Sequence, residues 1–307
     1  MNIRDLRYLI AVADLRHFGK AAEACFVSQP TLSTQLKKLE EFLDVQLVER
    51  SNKQVMLTPI GEKVVERARS IINQVDDIVE LCRAQSDPLT GEIRLGFIPT
   101  SAPYLLPHAV PRMRDAYPQL RPLLYEDQTA RLVERLRHGE LDAALMAVPV
   151  EGADFKCVEI FSEPFVLALP AGHPLTAKHK VTVGDLRDQR VLLLEEGHCL
   201  RDQALDICSR VGVRQENEFR ATSLETLRQM VASGAGLTLL PELAAETTPA
   251  LPNHAAIELR PFEEPSPARR MAFYYRKGSA REAAVLELAD LFRKLPVVQE
   301  LEDRSAA

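Results

Sequence analysis

Two cysteines nine residues apart, Cys199 and Cys208 in GHCLRDQALDIC, are the side chains here whose type and spacing most directly raise a question of chemistry. They fit three descriptions: two small buried hydrophobes, part of a metal site, or a redox device. A zinc site is disfavoured, because two cysteines and one adjacent histidine, His198, lack the usual paired ligand spacing. No metal and no cofactor is therefore expected. A reactive thiol has to be thiolate-rich and reachable. Cys199 follows Gly197 and His198 and opens an amphipathic stretch, where the free N–H groups and dipole of a helix start favour an anion. Cys208, further along with Leu205 and Ile207, reads as buried.

The compartment bears on the same question. The start of the chain, MNIRDLRYLIAVADL, carries Asp5, Arg7 and Asp14 within its apolar pattern, so it does not read as a signal peptide. No stretch is apolar enough for a membrane span. A cytoplasmic protein without membrane contact is expected, where structural disulfides are rare. An odd number of cysteines, five at irregular spacing, argues against a disulfide scaffold. Net charge is −6, but residues 1–58 carry +1 and the rest −7, an asymmetry that permits a DNA contact near the N-terminus without proposing one.

The elements that would position these cysteines fall into three pieces of the 307-residue chain. Residues 1–58 read as short helices and a hairpin, 59–88 as a long helix, and 89–307 as alternating strands and helices of a parallel or mixed α/β domain. EIRLGFIP, RPLLYED and DAALMAV read as strands around two helices, a βαβαβ unit. A second unit starts near PFVLALPAG, with Cys157 on a separate strand before it and a final helix over 281–295. Two lobes, about 89–162 with 269–300 and about 163–268, would enclose a cleft at the carboxyl ends of strands.

In FGKAAEACFVSQPTLSTQLKKLEEFL, a short helix, a tight connection and a second helix suggest a helix-turn-helix. Ser28 can cap the second helix and Pro30 is tolerated in its first turn. Leu32, Leu36, Leu39 and Leu43 mark its buried face, widened by Phe42. Gln29, Thr31, Ser33, Thr34, Gln35, Lys37 and Lys38 lie opposite and supply donors and acceptors for base edges and lysines for phosphates. By composition alone this is equally a solvated helix face. The hairpin VQLVERSNKQVMLTPIG adds a wing whose Arg50 and Lys53 could reach DNA. Thr58 and Pro59 then start a long helix in which Val64, Ala68, Ile71, Val75, Ile78 and Cys82 step by four and three, a coiled-coil seam that points to a dimer. Packing of the same stripe on its own domain is the alternative. Cys25 and Cys82 read as core residues, and Cys157 has no assigned role.

Together these residues resemble the LysR-type transcriptional regulators: a winged helix-turn-helix, a linker helix and a two-lobed α/β effector domain like that of periplasmic binding proteins. AAEACFVSQPTLSTQLKKLE with VERSNKQVMLTPIG carries the likeness, which spans essentially the whole chain. GHCLRDQALDIC, FIPTSAPYLLPH and FRATSLETLRQMV are similar to the hydrogen-peroxide-sensing members. The resemblance implies that peroxide oxidises Cys199, which forms a disulfide with Cys208 and alters how the oligomer sits on promoter DNA and recruits RNA polymerase at antioxidant genes. A tetramer is implied by the resemblance alone. So is a peroxide pocket of Thr100, Thr129, His198 and Asp202, with Arg270, or its neighbour Arg269, stabilising the thiolate. On residue type alone, Thr100 and Thr129 fit helix caps, Asp202 a first-turn acid and His198 a structural histidine.

Were Cys199 to Cys208 one straight helix, the Cα atoms would lie ~13.5 Å apart, whereas a disulfide tolerates ~7 Å. A bond between them would have to unwind the segment, and so would act as a switch rather than a staple. Cys208 is the better candidate for the resolving thiol. Two rivals remain at this point: a LysR-type regulator that senses a small metabolite, and a thiol peroxidase, which the N-terminal motif disfavours.

Overall fold

The computed structural model describes residues 1–50, 55–84, 87–150, 155–209, 215–246 and 257–306. They form two compact units, one closing with the long helix and one beginning at Asp87. In the first, α1 (Ile3–Leu15), α2 (Phe18–Ala24) and α3 (Gln29–Leu43) precede a small antiparallel pair, β1 (Val48–Arg50) and β2 (Val55–Leu57), and the helix α4 (Pro59–Ala84). Ser28 caps α3 by accepting the Thr31 N–H at 3.3 Å, and Pro30 sits in the first turn, where its missing N–H removes no helical bond. Leu32, Leu36 and Leu39 are buried against Leu9, Val12 and Ala21. Phe42 departs from the expected stripe: it is 65% exposed, while its neighbour Leu43 packs on the core.

The α4 stripe divides its tasks. Val65 and Ala68 are buried, and Val64 and Val65 pack on the core of their own unit, while Ile71 and Ile78 are exposed. Part of the apolar seam thus serves the unit itself. Thr58 starts the helix by accepting the Gly61 N–H at 3.0 Å while its hydroxyl donates to the Gln46 carbonyl at 2.7 Å. The side chains of Arg50 and Cys82, and all of Lys53, fall outside the described residues.

The second unit opens with β3 (Gly91–Phe97), α5 (Ala102–Ala116), β4 (Leu120–Glu126), α6 (Thr129–Arg137) and β5 (Ala143–Val148). Here β3 lies between β4 and β5, parallel to both, which gives the expected βαβαβ unit. The two strands expected around Cys157 and PFVLALPAG are one continuous strand, β6 (Phe155–Pro170). It changes partners at Pro164, since proline cannot continue a ladder on its own N–H side.

Lobe II then contains β7 (Val191–Leu194), α7 (Cys199–Ser209), β8 (Gln215–Ala221), α8 (Leu224–Ala232), β9 (Thr238–Pro241), α9 (Glu242–Glu246) and β10 (Ile257–Pro261). The chain returns to lobe I with β11 (Ala268–Arg276), α10 (Glu282–Arg293) and α11 (Pro296–Ala306). Before Pro164, β6 pairs with β11; beyond it, with β9 and β10, so one strand belongs to both lobes. β8, α9, β10 and α11 were not anticipated. β8 and β10 mix charged with apolar residues, α9 is a single turn or so, and α11 follows a proline that reads as a stop.

Each lobe has its own core. In lobe I, Phe97, Phe273 and Phe292 meet with centroids 5.1 to 6.2 Å apart beneath Leu95 and Leu145. In lobe II, Leu167, Leu192 and Leu240 pack with Leu200, Ala204, Ile207 and Cys208 of α7. Among the described residues, no helix is long and apolar enough to cross a membrane.

Candidate functional site

β7 delivers the chain to the cleft, and the loop 195–198 turns it into α7. The turn requires Gly197 at φ +97°, and a Cβ there would meet the Gln128 side-chain oxygen at 2.5 Å. His198, buried at the end of this loop, accepts the Arg201 N–H on its carbonyl at 2.9 Å. Cys199 is thus the first residue of α7, and Cys208 lies in the last turn of the same unbroken helix. Cys199 packs on the lobe I core, whereas Leu200, Ala204, Ile207 and Cys208 belong to the lobe II core.

The walls around Cys199 are Ile98, Pro99 and Thr100 after β3, Gln128 and Thr129 at the start of α6, and Gly197 and His198. They close over the thiol and leave no free room for a water-sized guest. Thr100, Thr129 and His198, proposed from separate parts of the sequence, are therefore together at the thiol. The Thr129 hydroxyl is buried and faces the Cys199 thiol. A buried hydroxyl is costly unless it is paired, so whatever capacity the thiol leaves is available to a guest.

Arg270 is corrected by the structure. Its side chain is 56% exposed and pairs with Glu159 at 2.7 Å, also exposed. Arg269, one position earlier and on the opposite face of β11, is the arginine at the site. It is fully buried, donates to the Thr100 hydroxyl at 2.8 Å and the Thr100 carbonyl at 3.0 Å, and forms a buried ion pair with Glu163 at 2.8 Å. Glu163 also accepts the Leu243 N–H at the start of α9, at 2.9 Å. Asp202 is corrected as well: it is exposed on the first turn of α7 and does not wall the cavity.

The electrostatics at Cys199 are a contest. Burial pushes its thiol above the ordinary range, and the Asp202 carboxylate adds to the rise. The Arg269 guanidinium, the facing Thr129 hydroxyl and the Leu200 N–H pull the other way and do not prevail. In this closed geometry burial therefore outweighs the helix start that favours the thiolate. Cys208 has no such counterweight, and burial alone pushes it up to about 11.

Sequence reading missed Ile98, Pro99, Gln128 and the Glu163–Arg269 pair. The one available hint was a glutamate amid apolar residues in IFSEPFVLAL. Among the described residues, no group of three or more histidines, cysteines or carboxylates could hold a metal.

On the helix-turn-helix, Gln29, Pro30, Thr31, Thr34 and Lys37 are exposed, and Ser33 and Gln35 are half-buried. Lys37 stands 3.7 Å from Glu41, a solvent-exposed pair that binds it weakly. Ser28 has its hydroxyl within 2.8 Å of the Thr31 hydroxyl, so both are partly engaged in the cap.

These two features, a helix-turn-helix and a two-lobed α/β unit with a cleft thiol, agree with the comparisons to known proteins. Residues 3–62 match the bacterial regulatory helix-turn-helix protein, lysR family, and residues 86–296 match the LysR substrate binding domain. The chain belongs to the LysR family. Within it, the chain is 44% identical over 294 residues, 96% of its length and 95% of the relative's, to a hydrogen peroxide-inducible genes activator of Dickeya chrysanthemi. Its fold is similar to full-length OxyR from Pseudomonas aeruginosa, with TM-score 0.80, 41% identity and 97% of each chain covered. It is also similar to a hydrogen-peroxide-bound mutant of Corynebacterium glutamicum OxyR, with TM-score 0.68, 34% identity, and 99% and 95% of the two chains covered.

Proposed function

We propose that this protein is a cytoplasmic, hydrogen-peroxide-sensing transcriptional regulator that binds promoter DNA through α3 and its wing. The observation that carries this reading is the placement of Cys199, a cleft thiol beside a buried cation and a facing hydroxyl, on the same helix as a second, deeply buried thiol. Hydrogen peroxide is small and neutral, so it asks for only a slight parting of the closed walls, and Thr100, Thr129 and His198 on those walls offer it hydrogen bonds. The relatives' names support the same effector.

The chemistry runs in two steps. The Cys199 thiolate attacks one peroxide oxygen; the S–O bond forms as the O–O bond breaks, sulfur loses two electrons, and the departing hydroxide takes a proton to become water. The resulting sulfenic acid is attacked by the Cys208 sulfur, a disulfide forms and a second water leaves. The Arg269 guanidinium favours the thiolate in the first step, and Thr129 and His198 offer hydrogen bonds to the two oxygens. In the second step α7 unwinds, because its intact geometry holds the Cα atoms ~13.5 Å apart. The refolded segment then alters the DNA-bound oligomer and its engagement of RNA polymerase. Ile71 and Ile78, exposed on α4, suit a helix from a second copy, and the working form is a dimer that assembles further to a tetramer. The protein acts as a switch rather than as a turnover enzyme.

Footprinting on one target promoter, with reduced and peroxide-treated protein, tests this. The footprint is expected to change on oxidation, in step with a Cys199–Cys208 linkage seen by mass spectrometry. A change that persists in Cys199→Ser would sink the mechanism.

A further inference from the structure

Two spaces meet at Gln128. On one side is the closed pocket around Cys199, with no standing room for a guest; on the other is an open vestibule of about 330 Å³ walled by Glu126, Asp127, Arg131, Glu195 and Thr222. Pro99, Gln128 and His198 line both. Of these, Pro99 is rigid and His198 is buried, which leaves Gln128 as the wall with a long side chain free to turn.

Its backbone is fixed. The Gln128 N–H donates to the Asp127 carboxylate at 2.9 Å, and its carbonyl accepts the Leu132 N–H at 3.0 Å as α6 begins. Its amide lies across the bare backbone of Gly197, where oxygen, carbon and nitrogen all come within 2.5 to 3.2 Å of the position a Cβ would occupy. The latch on the far side is slight: Gln128 Nε2 stands 3.5 Å from His198 Nε2, the outer limit of a hydrogen bond. The side chain can therefore turn without disturbing the helix.

We propose that Gln128 is the gate to Cys199 and sets which hydroperoxides react there. This rests on Cys199 being the peroxide-reactive thiol. Hydrogen peroxide is one oxygen larger than water and needs only a small turn of the amide to enter. An alkyl hydroperoxide undergoes the same step, in which the terminal oxygen goes to sulfur, the O–O bond breaks and the alkoxide leaves with a proton as alcohol. Its alkyl group, however, needs room that the pocket walls do not give, and the adjoining open space lies beyond Gln128.

The test is rapid-quench mass spectrometry of Cys199 in the full reduced chain, treated with hydrogen peroxide or cumene hydroperoxide, for wild type, Gln128→Ala and Gln128→Leu. Wild type is expected to react quickly with hydrogen peroxide and poorly with the bulky reagent. Gln128→Ala raises both rates, that of cumene hydroperoxide by about tenfold or more and by more than that of hydrogen peroxide, as expected when a steric wall is removed. Gln128→Leu keeps the bulk and keeps the discrimination. A reactive Cys199 whose selectivity is unchanged in Gln128→Ala, or is lost equally in Gln128→Leu, overturns the gate alone. A wild-type Cys199 inert to hydrogen peroxide overturns the sensor reading and the gate with it.

Discussion

The two ends of α7 carry the same side chain in opposite surroundings. At Cys199 the thiol faces a buried cation, a hydroxyl and a backbone N–H, set against burial and the carboxylate of Asp202. At Cys208, in the lobe II core among Ile207 and Ala204, only burial acts. A single helix therefore holds one thiol whose ionisation can be tipped by a small change at a cleft and one that stays protonated until it leaves the core. In the proposed mechanism the difference sets the order of events: Cys199 reacts first, and Cys208 becomes competent once its end of the helix has opened. Packing agrees with this order, since Cys199 contacts the lobe I core while Leu200, Ala204, Ile207 and Cys208 are buried in lobe II.

The largest expected effects come from removing either thiol. Cys199→Ser is expected to abolish peroxide-driven modification of α7. Cys208→Ser should leave a sulfenic acid on Cys199, trapped by a dimedone-type reagent, with no disulfide. Prompt sulfenic acid on Cys208 in Cys199→Ser would erase the distinction between the two ends. Next comes the pair of adjacent arginines. Arg269→Met removes the cation beside Cys199, and the thiol reactivity at fixed pH is expected to fall, because the thiolate loses that stabilisation. It also strands Glu163 and should lower stability by about 3–5 kcal/mol, read by denaturant unfolding. Arg270→Met breaks only an exposed pair, below about 1 kcal/mol, with reactivity retained.

The pH dependence separates the ends more gently. Because burial raises the Cys199 thiol, its reaction with peroxide should accelerate as pH rises from neutrality, by about tenfold per unit while the thiol remains mostly protonated. Cys208 speaks through stability. Its folded value, about 11, lies above the ordinary 9.0, so the unfolded chain ionises first. The contribution is complete below pH 9 and is lost as pH climbs towards 11. Cys208→Ala should flatten that alkaline loss in urea titrations; an unchanged slope would mean that Cys208 is not held protonated by the core.

How much of this was legible in the sequence follows the range of the interaction. Leu32, Leu36 and Leu39 lie on one helix face, and their spacing alone announces it. The helical course between Cys199 and Cys208 is equally local. Arg269 is a different case: its partners Glu163 and Thr100 are 106 and 169 residues away, and no spacing rule reaches them. Choosing between Arg269 and Arg270 needed the phase of β11. Met271 and Phe273 share the parity of Arg269, but Ala272 and Tyr274, of the other parity, are buried too, so alternation did not decide. The surroundings of the Cys199 thiol were hidden for a related reason. A helix start is visible in sequence, whereas the closing walls supplied by Ile98, Pro99 and Gln128 are not, and burial outweighs the helix start.

The smallest expected effect bears on how the ends communicate. If Cys208 is released by unwinding the end of α7, the side chains that hold that end set the rate of disulfide closure. Ile207 is buried in the lobe II core beside Cys208. Ile207→Val removes one methylene and costs about 0.5–1.5 kcal/mol in a core position. That loss falls on the closed helix and not on the opened segment, so condensation of the Cys199 sulfenic acid with Cys208 should accelerate by about two- to tenfold. Oxidation of Cys199 by peroxide, at the other end, should be unchanged. Stopped-flow sulfenic acid trapping followed by disulfide quantification resolves the two phases. Equal acceleration of both would show that α7 opens as a single unit before peroxide reacts. An unaltered second phase would place the slow step outside the helix end, and burial of Cys208 would then contribute to stability without controlling the order in which the thiols react.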